Sequence, residues 1–95
     1  MNTAAARAAA ERAARDSYGR LLSILSARTR DIALAEDALA DAFESALDSW
    51  PRTGVPDNPA AWLITTARRK TLDAWRHDQV HEEAAHTVRV LADEF

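Results

Sequence analysis

The chain has 95 residues and a formal net charge of −3, with 47% hydrophobic residues, two glycines and no cysteine. This length is enough for one small domain with a single core. Without cysteine there are no disulfides and no thiolate chemistry, and no apolar run is long enough to cross a membrane, so we expect a soluble, cytoplasmic protein with no membrane partner. The negative net charge argues against a general DNA-coating protein, which is normally basic.

The charges are segregated along the chain. Residues 1–30 hold six basic and two acidic side chains, whereas residues 31–50 hold six acidic and none basic. Residues 51–77 hold five basic against two acidic, and residues 78–95 hold one basic against five acidic. This alternation indicates an acidic face for a protein partner and a basic face for nucleic acid. The alternative is ordinary charge balance between neighbouring helices, which requires no partner.

Abundant alanine and the lack of alternating β-branched runs predict an all-α fold. The first helix is predicted from about Thr3 to Ala27, and it becomes amphipathic from Tyr18 onward. Gly19 is its weak point, because glycine in a helix costs up to about 1 kcal/mol relative to alanine. Asp31 is suited to cap the helix that follows.

Residues 32–50 predict a second helix with an apolar stripe and a row of carboxylates. The stripe comprises Ile32, Ala35, Leu39, Phe43, Ala46, Leu47 and Trp50. The row, here named the acidic strip, comprises Asp37, Asp41, Glu44 and Asp48. Like charges at these spacings cost roughly 0.2–0.5 kcal/mol per pair. The strip is therefore either a docking surface for a basic partner or a face kept acidic for solubility or balanced by arginines of the first helix, and the residues alone leave this open.

A loop is predicted at residues 51–58, because Pro51 and Pro56 disfavour helix and Gly54 favours a turn. A third helix then begins, with Asn58 as its cap and Pro59 at its first position. Helical spacing predicts that four of its side chains face the core: Ile64, Ala67, Thr71 and Trp75. The same spacing places six others on the flanks or on the outer side: Thr65, Thr66, Arg69, Lys70, Asp73 and Arg76.

The third helix sets aromatic rings beside cations, which suits single-stranded nucleic acid. Cations hold the phosphates, and rings or apolar pockets receive unstacked bases. The alternative is that Trp62 and Trp75 are core anchors and that the adjacent basic residues form a solvated face.

Residues 78–95 predict a short last helix, with Val88, Leu91 and Phe95 at helical spacing. The expected architecture is thus a compact bundle of three main helices plus a short C-terminal helix. His81 and His86 are five residues apart, which does not place both on one helix face for a metal. We find no metal-binding or catalytic pattern and expect neither cofactor nor enzymatic activity.

Two blocks, AEDALADAF at 35–43 and NPAAWLITTARRKTLDAWR at 58–76, resemble region 2 of bacterial extracytoplasmic-function sigma factors of the sigma-70 family. These proteins direct RNA polymerase to promoters. The resemblance implies a region 2 helical domain over residues 1–77, with residues 78–95 starting a linker or short terminal helix. It implies no reaction of its own, since catalysis belongs to the polymerase.

The resemblance also assigns roles to individual residues. It implies that four residues dock on the β′ coiled coil of RNA polymerase core: Ala35, Asp37, Asp41 and Phe43. It implies melting of the promoter −10 element and capture of its non-template single strand by Arg52, Asn58, Ala61, Trp62, Thr66, Arg69, Lys70, Asp73 and Arg76. An anti-sigma factor is a further partner consistent with the resemblance.

The competing hypothesis is a non-enzymatic helical module for protein–protein interaction or dimerisation. In it the tryptophans belong to the core and the charges only solubilise the surface. A homodimer is plausible for an isolated domain whose apolar surface is exposed.

Overall fold

A computed structural model describes the backbone of residues 3–94 and the side chains of residues 3–80. It contains three helices, α1 (Thr3–Thr29), α2 (Ile32–Thr53) and α3 (Pro59–Glu94), and no strand in the described residues. The predicted all-α bundle of three main helices is confirmed. The prediction of a separate short last helix is wrong, because residues 78–94 continue α3. Neither proline nor glycine occurs between residues 60 and 94, so nothing in the backbone stops the helix there.

Both predicted helix caps are confirmed. The Oδ1 of Asp31 accepts a hydrogen bond from the backbone N–H of Leu34 at 3.0 Å. The Oδ1 of Asn58 accepts one from the backbone N–H of Ala61 at 3.1 Å. Each cap satisfies a donor in the first helical turn that has no partner inside the helix. The starts of α2 and α3 are therefore fixed locally by sequence.

The end of α2 differs from the prediction, because Pro51 lies inside the helix rather than in the loop. A proline ring is compatible with helical φ, but it removes one N–H donor and crowds the carbonyl group four residues earlier. Side chains of the next two residues bond back to the last turn: Arg52 Nε donates to the carbonyl oxygen of Asp48, and Thr53 Oγ1 to that of Ser49. Gly54 then ends the helix with its N–H on the carbonyl oxygen of Trp50, at 2.8 Å.

The core lies where the three helices meet, and alanine dominates it. Its buried members are Ala6, Ala10, Ala13, Leu21, Leu25, Ala35, Ala38, Leu39, Ala42, Ala46, Trp50, Leu63 and Ala67. Small side chains let the helix backbones approach closely, and a few large ones fill the remaining volume. The largest fully buried side chain is that of Trp50, which lies near the C-terminal end of α2.

Three residues expected in the core are exposed instead. Ile32 and Leu47 are 61% and 46% exposed, because the buried face of α2 is centred on its alanines rather than on the bulkier residues at its flank. Trp75 is 59% exposed. It lies where α3 passes the turn between α1 and α2, so the two helices no longer cover it. Within the described part of the chain, none of the three helices is long and apolar enough to cross a membrane.

Candidate functional site

The acidic strip of α2 lies on the side of the helix away from the core. Asp37, Asp41 and Glu44 are exposed and form no ion pair with any described residue. Asp48 alone is paired, with its Oδ2 at 3.0 Å from the Nη2 of Arg52. No described arginine of α1 forms an ion pair with the strip.

The other two residues predicted to bind the polymerase, Ala35 and Phe43, pack against the rest of the fold. Ala35 is completely buried in the core. Phe43 is half-buried and stacks on Tyr18, with ring centroids 6.4 Å apart and planes 29° apart. The two residues fix α2 against its neighbours, and Asp37 and Asp41 are the members of the set that face solvent.

The loop between α2 and α3, residues 54–58, borders a cavity of about 390 Å³. Its wall on the loop side includes Val55, Pro56 and Asn58, and its opposite wall is formed by α1. This recess next to the loop faces α1, and Trp62 does not line it. Asn58 contributes both the cap of α3 and part of this wall.

Trp62 packs against Trp50 rather than toward the loop cavity. The two rings meet edge to face, with centroids 5.3 Å apart and an interplanar angle of 69°. Trp62 is half-buried and Ala61 beside it is exposed. Trp62 is therefore partly a structural residue, as one alternative held, and still presents part of its ring at the surface.

The outer side of α3 is cationic. Arg69, Lys70 and Arg76 are exposed and form no ion pair within the described residues. Asp73 is exposed among them, and Thr66 is half-buried on the same stretch. These side chains follow Trp62 along one helix, so a strand lying along α3 would meet an aromatic ring first and cations afterwards.

Arg52 is set apart from the other predicted DNA-binding residues. Its guanidinium is bonded to the carboxylate of Asp48 four residues earlier, which turns it toward the acidic strip. Both side chains are more than half exposed, and such pairs contribute at most about 1 kcal/mol. Arg52 could exchange this carboxylate for a phosphate at small cost.

Sequence reasoning missed the residues of α1 that close the loop cavity. Arg12, Asp16 and Ser17 line it opposite the loop. No spacing in the sequence connects them to residues some forty positions later, because only the packing of α1 against the loop brings them together. In the described residues there is also no group of three or more His, Cys, Asp or Glu that could hold a metal ion. The side chains of His81 and His86 lie outside the described residues.

Comparison with known proteins gives these surfaces a family. The family described as sigma-70 region 2 matches residues 13–80, which cover the greater part of α1, all of α2, the loop and much of α3. An uncharacterized protein of Rhizobium meliloti (strain 1021) is 44% identical over 64 residues, which is 67% of this chain and 15% of that protein. No solved structure matches the chain.

An all-helical domain with this match falls in the class of transcription-initiation domains, which have no enzymatic activity of their own. The chain belongs to the sigma-70 region 2 family, whose members take part in RNA polymerase binding and promoter recognition. The chain spans 15% of the length of the curated relative that it matches.

Proposed function

We propose that this domain docks on the β′ coiled coil of RNA polymerase core through the acidic strip, and melts and reads the promoter −10 element through the loop and α3. One observation supports this most strongly: two exposed surfaces of opposite charge, on α2 and α3, have no ion pairs between them in the described residues. Surfaces left unneutralised in this way favour charged partners.

For the polymerase side, the supporting features are Asp37 and Asp41. Both point away from the core and carry a repulsive cost that the fold does not relieve. A basic surface on the polymerase would relieve it. Ala35 and Phe43 contribute by holding α2 in place rather than by direct contact.

For the DNA side, the proposal assigns phosphate contacts to Arg69, Lys70 and Arg76. An extruded base would enter the cavity of about 390 Å³ beside Asn58, or stack on the exposed part of Trp62. Extruding a base costs a few kcal/mol, which such contacts must offset. The proposed strand-binding surface is completed by Thr66, Asp73, Ala61 and Arg52.

The polymerase contact is tested with a purified β′ coiled-coil fragment. Reversing charge in Asp37→Arg with Asp41→Arg should weaken binding at least tenfold. The control Glu11→Arg reverses a negative charge on α1. It should change the affinity less than twofold, because Glu11 is exposed but lies outside the strip. Equal binding by the wild type and both variants would rule out docking through the acidic strip.

The DNA contact is tested with a single-stranded oligonucleotide of −10 sequence. Substituting Arg69→Ala or Lys70→Ala should weaken binding, and it should lower the magnitude of the salt slope of log K by about 0.7, the single-strand value for each phosphate that is no longer neutralised. Arg20→Ala, an exposed arginine of α1, is the control. Should Arg20→Ala change the slope as much as the α3 variants, binding would be non-specific attraction to any cation.

Further features of the proposal come from the sequence rather than from geometry. The resemblance implies the extracytoplasmic-function subtype and an anti-sigma factor as regulator, and the lack of cysteine and of a long apolar run supports the cytoplasmic location. The exposed Ile32, Leu47 and Val80 keep a second candidate function, a protein–protein or dimerisation module, open to test. Sedimentation of the isolated domain at increasing concentration measures whether those residues mediate self-association.

A further inference from the structure

A second cavity, of about 520 Å³, lies at the opposite end of α2 from the loop. It is bounded by the end of α1, the start of α2 and the middle of α3. Its apolar and cationic lining includes Leu25, Leu34, Leu72, Trp75, Arg28 and Arg68. None of the residues lining it belongs to the surfaces proposed above for polymerase or DNA. It is therefore a third candidate surface.

The two arginines of this cavity are not neutralised. No Asp or Glu lines the cavity, and neither Arg28 nor Arg68 forms an ion pair with a described residue. The Nε of Arg68 is buried and donates to no acceptor in the described part of the chain. Buried donors are normally satisfied, so Arg68 would gain a hydrogen bond by turning its guanidinium group toward an acceptor in the cavity.

The apolar part of the cavity is open at its rim. Leu72 is 51% exposed and Trp75 is 59% exposed, whereas Leu25 is fully buried below them. Tryptophan and arginine are the residue types that most often dominate binding energy at protein interfaces. An apolar floor, an aromatic rim and two guanidinium groups together match an apolar side chain flanked by carboxylates.

We propose that this cavity binds an acidic, amphipathic segment of a partner protein. One aliphatic or aromatic side chain of the segment rests on Leu25 and Leu72 beside Trp75, and its carboxylates accept hydrogen bonds from Arg28 and Arg68. Charge complementarity carries the choice of partner, since the lining holds two cations and no anion. A nucleic acid would also satisfy the guanidinium groups, but its bases stack best on aromatic rings, and the floor here is aliphatic, with Trp75 at the rim.

The probe is a fluorescein-labelled amphipathic peptide of about fifteen residues, long enough to form a helix on binding, with leucine and phenylalanine on one face and glutamate on the other. Its twin carries glutamine in place of every glutamate. The chain should bind the acidic peptide at least tenfold more tightly than the twin. Equal affinity for both peptides would overturn the proposal, because charge would then play no part.

Matched variants locate the binding site. Arg68→Gln and Arg28→Gln should each weaken the acidic peptide about tenfold, as expected when a charge-assisted hydrogen bond is removed. Lys70→Gln, an exposed cation on the same helix outside the cavity, should change affinity less than twofold. Leu72→Gln should weaken the peptide, whereas Val80→Gln, at a similarly exposed apolar residue outside the cavity, should not.

The same variants separate this proposal from the proposed function. Arg28→Gln and Arg68→Gln should leave binding of the β′ fragment and of the −10 oligonucleotide unchanged. The proposal fails if these variants weaken binding of the oligonucleotide as much as Arg69→Ala does, while they weaken binding of the peptide no more than Lys70→Gln does. The cavity would then belong to the DNA surface. Thermal unfolding followed by circular dichroism identifies any variant that is unfolded, and Arg68→Lys then replaces Arg68→Gln.

Discussion

The two glycines occupy opposite kinds of position. Gly19 lies inside α1, and a Cβ placed on it would contact nothing within 4 Å. Gly54 ends α2 with a φ of 92° and a ψ of 155°, a region that is almost restricted to glycine. Space around Gly54 is equally open, so its constraint comes from the backbone alone.

Substitution by alanine should therefore have opposite effects at the two glycines. Gly19→Ala should raise the free energy of unfolding by about 0.5–1 kcal/mol, because it removes backbone entropy from the unfolded chain and adds helix propensity. Gly54→Ala should lower it by about 1–3 kcal/mol. Urea denaturation measures both, and a change of the same sign in the two variants would contradict this account.

The tryptophans also separate by burial. Trp50 is 2% exposed and packs on Trp62, whereas Trp75 is 59% exposed. Trp50→Ala should cost about 3–5 kcal/mol, the usual loss for a large core side chain. Trp75→Ala should change the free energy of unfolding by about 0.5 kcal/mol or less. Urea denaturation measures both variants. A loss of several kcal/mol in the free energy of unfolding of Trp75→Ala would show that Trp75 is a core residue, as the sequence pattern predicted.

At the scale of the element, α2 combines a tightly packed face with a self-repelling one. Asp41 lies four residues after Asp37 and three before Glu44, and no described cation pairs with any of them. The packing of its alanines and Trp50 against α1 and α3 must offset this repulsion. We interpret the strip as a surface retained for binding at some expense of stability.

Neutralising Asp41 should separate stability from binding. Asp41→Asn should raise the free energy of unfolding by about 0.2–0.5 kcal/mol for each repulsive neighbour removed, and it should weaken binding of the β′ fragment. Glu11→Gln on α1 is the matched control, because Glu11 lies four residues from Arg7 and from Arg15 and its neutralisation should reduce stability instead. Added salt should reduce both stability effects. Stability and binding that fall together in Asp41→Asn would indicate a structural role.

At the scale of the whole molecule, the acidic strip of α2 and the cations of α3 proposed to bind phosphates form two surfaces that share one core. Asp48 of the acidic strip is ion-paired with Arg52 on the same helix, but no described ion pair connects the strip to α3. Perturbations on the two surfaces should therefore be independent, as is usual for residues without shared partners.

A double variant tests this independence. Asp41→Arg with Arg69→Ala should weaken polymerase binding and DNA binding by the same amounts as the two single variants, to within about 0.5 kcal/mol. Each partner is titrated separately by fluorescence anisotropy against the wild type, both single variants and the double variant. A coupling well above this value would show that the core transmits changes between α2 and α3.

Local chemistry in the sequence was sufficient to predict the three main helices and the starts of α2 and α3. Asp31 and Asn58 cap α2 and α3 as predicted, because an N-cap depends only on residues three positions apart. The carboxylates of α2 and the cations of α3 were also predicted to face outward, since helical periodicity fixes which residues share a face. The end of α2 was harder to predict, because Arg52 and Thr53 bond back past Pro51.

Tertiary packing decided what periodicity could not. The residues that line a cavity, such as Arg12 with Asn58 or Arg28 with Arg68, are distant in sequence and meet only because α1 packs beside the loop and beside α3. The exposure of Ile32 and Trp75 had the same origin, since burial depends on what a neighbouring helix covers and not on the apolar character of the side chain. The sequence by itself determined the helices and the sign of charge on each face; the assembled bundle determined which faces remain open and where cavities form between them.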